Sequence, residues 1–172
     1  MKSFARICAA AVLTFALGAC ATVDRYGAAG DVHALLVAIR DNDREAFDAH
    51  VDRPALKREI EARLLDETQK SGMDHGASAL GALLARPLAD IAGDALIQPQ
   101  VFRLVAESYG YSPAKPLPGS LVIGNSLRAV GDGRVCAPRK KGGPCLLMFT
   151  KDNGRWRLSG FEGELSELRT RP

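Results

Sequence analysis

Apolar positions along the chain change period three times, and each change marks a different kind of element. Ile7 to Leu17 form an apolar run interrupted only by Thr14. Residues 20–29, with Gly27-Ala28-Ala29, carry little apolar pattern and read as a short tether. From Asp31 the spacing becomes helical: Val32, Leu35, Leu36 and Ile39 share one face, with Arg40 and Asp41 opposite. Asp41-Asn42-Asp43 ends that helix and offers Asp43 as the cap of the next, whose apolar face carries Ala46, Phe47 and Val51. Asp52-Arg53-Pro54 is a strong helix start, because Asp52 can cap and Pro54 loses nothing in the first turn. Leu56, Ile60 and Leu64 then repeat at i, i+4, and the helix should run to about Lys70, where Gly72 stops it. The Ala-, Leu- and Gly-rich residues 77–97 read as two helical pieces divided by Pro87. Arg86, Asp90 and Asp94 argue that they pack in a helix pair rather than enter a membrane. Pro99 opens a last helix bearing Val101, Phe102, Leu104 and Val105.

After the proline-rich stretch 112–118 the period falls to two. Leu121, Ile123, Leu127 and Ala129 predict one face of a first strand. Arg134 to Ala137, Leu146 to Lys151 and Arg155 to Phe161 predict three more. Asp132-Gly133 and Asn153-Gly154 are tight hairpin signals. Trp156 and Leu158 point to one side of the last strand, Arg155 and Arg157 to the other, and Phe161 breaks the alternation, which suggests a bulge at Gly160. The expected fold is α+β: about five N-terminal helices packed on a C-terminal four-stranded antiparallel meander. Residues 30–168 form one domain, helical over 30–110 and a sheet over 119–162.

Composition agrees with one domain and adds a charge asymmetry. The chain has 172 residues and a formal net charge of +3, or +1 without Lys2 and Arg6, from which no general attraction to nucleic acid follows. Residues 21–112 hold 10 basic and 15 acidic side chains, whereas residues 113–172 hold 11 basic and 5 acidic ones. The acidic helical part and the basic strand part either complement one another or leave the basic layer facing a polyanion such as lipid headgroups.

The N-terminus explains where such a surface would be. Lys2 and Arg6 precede the apolar run, and small residues lead from it into Cys20, the layout of a secretory signal. The run is too short to span a bilayer, which takes roughly twenty residues. Leu17-Gly18-Ala19-Cys20 resembles the lipobox of bacterial lipoproteins, which implies removal of residues 1–19 and acylation of Cys20. Ala21 in place of aspartate resembles the sorting pattern of outer-membrane lipoproteins that face the periplasm. Ala19-Cys20-Ala21 also fits an ordinary signal-peptidase site, which would release a soluble periplasmic protein.

Candidate chemistry is sparse. His33, His50 and His75 share no metal-ligand spacing and read as surface or capping residues, so no metal or cofactor is expected. Gly131-x-Gly133 lacks the third glycine of a dinucleotide loop. Ser112-Pro113-Ala114-Lys115 matches Ser-x-x-Lys, but its prolines deny the helix that motif needs. Cys136 and Cys145 bracket the loop 138–144, at positions that neighbouring strands place opposite each other. In a compartment that permits disulfides they are expected to pair, with two free thiols as the alternative. Arg139, Lys140 and Lys141 at that loop read either as a solvated hairpin tip or as a contact with anionic lipid.

One stretch carries a family likeness. Ala38-Ile39-Arg40-Asp41-Asn42-Asp43 followed by His50-Val51-Asp52-Arg53-Pro54-Ala55-Leu56-Lys57 resembles the bacterial domain-of-unknown-function family 2939, whose pattern is roughly Ala-Ile-x-x-x-Asp, then Val-Asp-Phe-Pro-Ala-Leu-Arg. Arg53 replaces the usual Phe, and Lys57 replaces Arg. Phe149, Gly154, Trp156 and Leu158 resemble that family's terminal strands. The resemblance implies architecture and no activity. The expectation is a membrane-anchored envelope protein that is not an enzyme and acts on an envelope protein or anionic lipid. The alternative is a small-ligand module with a pocket between the helices and the sheet face bearing Trp156, Leu158 and Met148.

Overall fold

Short polar side chains set the helix boundaries in the N-terminal half. The computed structural model describes residues 2–70, 75–108, 110–140 and 142–161. Helix α1 (Lys2–Asp41) ends where Asn42 turns to φ 57°, and Asp43 N–H then donates to the Ala38 carbonyl at 2.9 Å. The Asp43 carboxylate accepts from Ala46 N–H at 3.0 Å and starts α2 (Arg44–Ala49). Asp52 does the same for α3 (Arg53–Lys70), accepting from Ala55 N–H at 2.9 Å. Helices α4 (His75–Leu96) and α5 (Pro99–Ser108) follow. Gly72, read as the stop of α3, lies outside the described residues.

Three expectations are corrected. Residues 20–29 are not a loose tether but part of α1, and Ala28 and Ala29 are 0% and 1% exposed. The helical stripe of Val32, Leu35 and Ile39 simply extends one turn further back, through small residues that hide it. Gly27 lies beside Trp156, whose Nε1 would be in ordinary contact with a Cβ there, at 3.6 Å. Pro87 does not divide the fourth helix, which stays continuous around it. What holds the segment beyond the proline is packing on α3. Ala89 is buried, Gly93 admits the Lys57 stem, and the Lys57 ammonium pairs with Asp94 at 2.9 Å and Asp90 at 3.5 Å. The third correction concerns the first expected strand. Residues Ser120–Ser126 form a sixth helix, α6, and strand β1 is only Arg128–Gly131. Ile123 and Leu127 are buried while Leu121 and Val122 are exposed. A spacing of four fits both a period of two and a helical turn, so the apolar pattern there suited either element.

Strands β1, β2 (Arg134–Pro138), β3 (Cys145–Asp152) and β4 (Arg155–Phe161) pair in sequence order as an antiparallel meander. Two hairpins turn on residues with positive φ: Asp132-Gly133 at 52° and 63°, Asn153-Gly154 at 49° and 81°. The register slips from Met148–Gly160 to Phe149–Leu158, which places the expected bulge at Ser159-Gly160.

One face of the sheet, with Val135, Phe149, Trp156 and Leu158, closes on Val32, Leu35 and Ile39 of α1 and on Phe47, Val51 and Leu56. Phe47 meets Phe102 of α5 edge-on at 5.2 Å. The free edge of β4 is covered by the chain between α2 and α3. Val51 bridges Leu158 in parallel, Asp52 N–H donates to the Leu158 carbonyl, and Leu158 N–H donates to the His50 carbonyl, both at 2.9 Å. The Asp31 carboxylate accepts the next outward donor, Trp156 N–H, at 2.8 Å. An edge covered in this way cannot recruit a foreign strand.

Candidate functional site

Cys20 lies within α1, eight residues before Ala28, the first buried position among the side chains described from Thr22 onward. At 1.5 Å per residue, about 12 Å of helix separates it from the core. Helix α6 packs on residues 26–33 of α1 and runs back toward its start. The ring of His33 meets the Pro118 carbonyl at 3.0 Å, and Tyr26 Oη donates to Asn125 Oδ1 at 2.8 Å. The Tyr26 ring rests on Gly124, where a Cβ would come within 2.6 Å of it. Tyr26 is thus clamped between two positions of α6. Val23 on α1 and Leu121 and Val122 on α6 are exposed at 69%, 74% and 57%.

Arg128 extends this arrangement to the basic loop. It follows α6 directly, and its guanidinium donates to the Gly143 carbonyl at 3.1 Å and to Cys145 Sγ at 3.0 Å. Cys136 and Cys145 form the expected disulfide, with Cα atoms 5.6 Å apart and both residues buried. The bond closes the β2–β3 loop, so Arg139 and Lys140 are presented on a pinned turn, both exposed. Lys141 lies outside the described residues. No sequence motif joined Cys20, α6 and this loop; the connection runs through the contacts of Tyr26 and Arg128.

The proposed ligand space is arranged differently from expectation. Trp156 and Leu158 are 3% and 2% exposed and belong to the filled core. Met148 sits on the opposite face of the sheet. There a shallow groove of about 390 Å³ runs between α3 and the strands, lined by Arg58, Glu59, Arg134, Met148, Thr150 and Ser159. Its two hydroxyls already bond each other at 2.7 Å. A second groove of about 360 Å³ lies between α3 and α4 and includes Lys57, Asp90 and Asp94. The hydrogen bond between Lys57 and Asp94 raises the Lys57 ammonium above 10.5 and holds the Asp94 carboxyl below 3.8. Both groups are therefore charged at neutral pH and bound to each other.

The histidines take local roles. His50 Nδ1 donates to the Ala46 carbonyl at 2.8 Å, and its Nε2 faces Asp31 at 3.5 Å. Nothing is described of the His75 side chain. Among the described residues no three of His, Cys, Asp and Glu gather to hold a metal ion, and no helix is long and apolar enough to cross a membrane.

The block from Val51 to Leu56 has now a structural meaning at every recurrent position. Val51 seals the sheet edge, Asp52 caps α3, Pro54 fills its first turn and Leu56 enters the core at 1% exposure. The family described as protein of unknown function, DUF2939, matches residues 13–105. The chain belongs to this family. The DUF2939 match covers α2, α3, α4 and most of α1 and α5, and it ends before the sheet. Arg53, which stands where the family pattern has Phe, is held by Asp48 at 2.7 Å instead of entering the core. No curated protein and no solved structure matches the chain.

Proposed function

We propose that this DUF2939 protein is an envelope lipoprotein, acylated at Cys20, held at the outer membrane facing the periplasm, and acting through contacts rather than catalysis. The observation that carries the reading is the N-terminal pattern: Lys2 and Arg6, the apolar run Ile7 to Leu17, then Leu17-Gly18-Ala19-Cys20. The buried Cys136–Cys145 disulfide supports it, because such bonds persist in oxidising compartments. Support for a contact role comes from the charged side chains. Asp31, Asp43, Asp52, Lys57 and Asp94 are each committed to a cap, a strand edge or an ion pair.

Metabolic labelling with an alkyne analogue of palmitate tests the anchor. The wild-type chain is expected to take up label and to partition with membranes, and Cys20→Ala is expected to lose both. A mature wild-type protein without label overturns the reading.

A further inference from the structure

We propose that α1 acts as a rigid strut that sets the α6 edge and the disulfide-pinned loop against the surface of an anionic bilayer. The inference rests on acylation of Cys20 and adds to it an orientation and a lipid class. A flexible ten-residue tether would reach roughly 33–36 Å and leave the domain free to tumble. The continuous helix instead places the core about 12 Å from the anchored residue and fixes its direction.

Two features lie along the α6 side of α1, beyond Cys20. The first is apolar. Val23 lies one helical turn from Cys20, and Leu121 and Val122 project from α6, which the Tyr26–Asn125 bond and the Tyr26–Gly124 contact hold against α1. These exposed side chains suit insertion at the level of the headgroups and acyl boundary. The second is cationic. Arg128, at the end of α6 nearest Tyr26, grips the Gly143 carbonyl and so keeps the turn with Arg139 and Lys140 beside that edge. Exposed cations beside exposed aliphatic side chains complement phospholipid phosphates over acyl chains. Arg40, at the far end of α1 and about 30 Å along the helix from Cys20, provides an internal reference.

The test uses the acylated full-length mature protein reconstituted in vesicles of pure phosphatidylcholine or of phosphatidylcholine with phosphatidylglycerol. Trypsin cleavage after Arg139 or Lys140 is timed against cleavage after Arg40, with fragments resolved after reduction. Cleavage at the loop is expected to slow by at least about five-fold on the anionic vesicles, the gain from one cation at an anionic surface. The Arg40 rate should stay unchanged, and the protection should vanish in 0.5 M salt, where the screening length falls to a few ångströms. The double variant Leu121→Asp, Val122→Asp alters exposed positions, so it should fold as the wild type by circular dichroism and lose the protection. Equal loop cleavage on both vesicles by a labelled, vesicle-bound protein overturns the docking surface alone. Absence of the acyl group overturns the anchor and the docking together.

Discussion

Replacing Asp31 by alanine should destabilise the whole domain, although Asp31 is itself partly exposed. Its carboxylate accepts the Trp156 N–H at 2.8 Å across 125 residues of sequence and faces His50 Nε2 at 3.5 Å. Trp156 is 3% exposed, so its N–H cannot exchange this acceptor for bulk water without opening the strand edge. A hydrogen bond to a charged group contributes about 1.5–3 kcal/mol. The expected loss is about 2–3 kcal/mol, or a fall in Tm of about 5–10 °C for a domain of this size. Asp31→Asn keeps an oxygen for the Trp156 N–H and should recover about half. Urea unfolding followed by the fluorescence of Trp156, the single tryptophan, measures both. The m value should not change, because the unfolded surface does not. An Asp31→Ala midpoint equivalent to less than about 0.5 kcal/mol of lost stability would refute the idea that this carboxylate secures the β4 edge.

Three further outcomes are expected. Replacing both Cys136 and Cys145 by alanine should cost about 2.5–3 kcal/mol from loop closure, and non-reducing peptide mapping of the wild type should recover the two cysteines in one linked pair. Gly124→Ala should cost about 1–3 kcal/mol, because the new Cβ would stand 2.6 Å from the Tyr26 ring; proton spectra should show the ring displaced, and Tyr26→Ala should relieve the added cost. Asp94→Asn should lower stability at pH 7 by a small amount that depends on pH. The Asp94 carboxyl is held low by Lys57, so the wild-type advantage persists above 3.8 and disappears as pH falls through the depressed value. The Lys57 ammonium is held high by Asp94, so the same advantage is lost again as pH rises beyond 10.5. Urea midpoints of the two proteins across pH read this difference directly, and a constant gap would contradict it.

Local rules account for much of what the chain displays. Asp43, Asp52 and Pro54 mark helix starts because capping depends on a side chain and a backbone N–H two or three residues away. Asp132-Gly133 and Asn153-Gly154 mark hairpins because positive φ is a local demand that few residues meet. The pairing of Cys136 with Cys145 was legible because the short meander leaves few other places for two thiols. The segments misread locally are those where long-range contacts outweigh a local signal. Residues 20–29 look unpatterned because their buried members, Ala28 and Ala29, are small; only the packed core shows that they continue the buried face of α1. Pro87 breaks a helix by local rules, yet α3 holds the segment together from outside. Ile123 and Leu127 suit either period, and burial against α1 selects the helix.

The amino-acid sequence by itself determined the class of the fold, the caps at Asp43 and Asp52, the hairpin turns and the family motif, all of which depend on residues near one another in the chain. Only the tertiary structure decided that the segment after Cys20 is helical rather than a loose tether, that Asp31 binds an edge strand, and that Arg128 holds the basic loop beside α6. Each of these joins positions far apart in sequence, and no local period records which distant surface a side chain will meet.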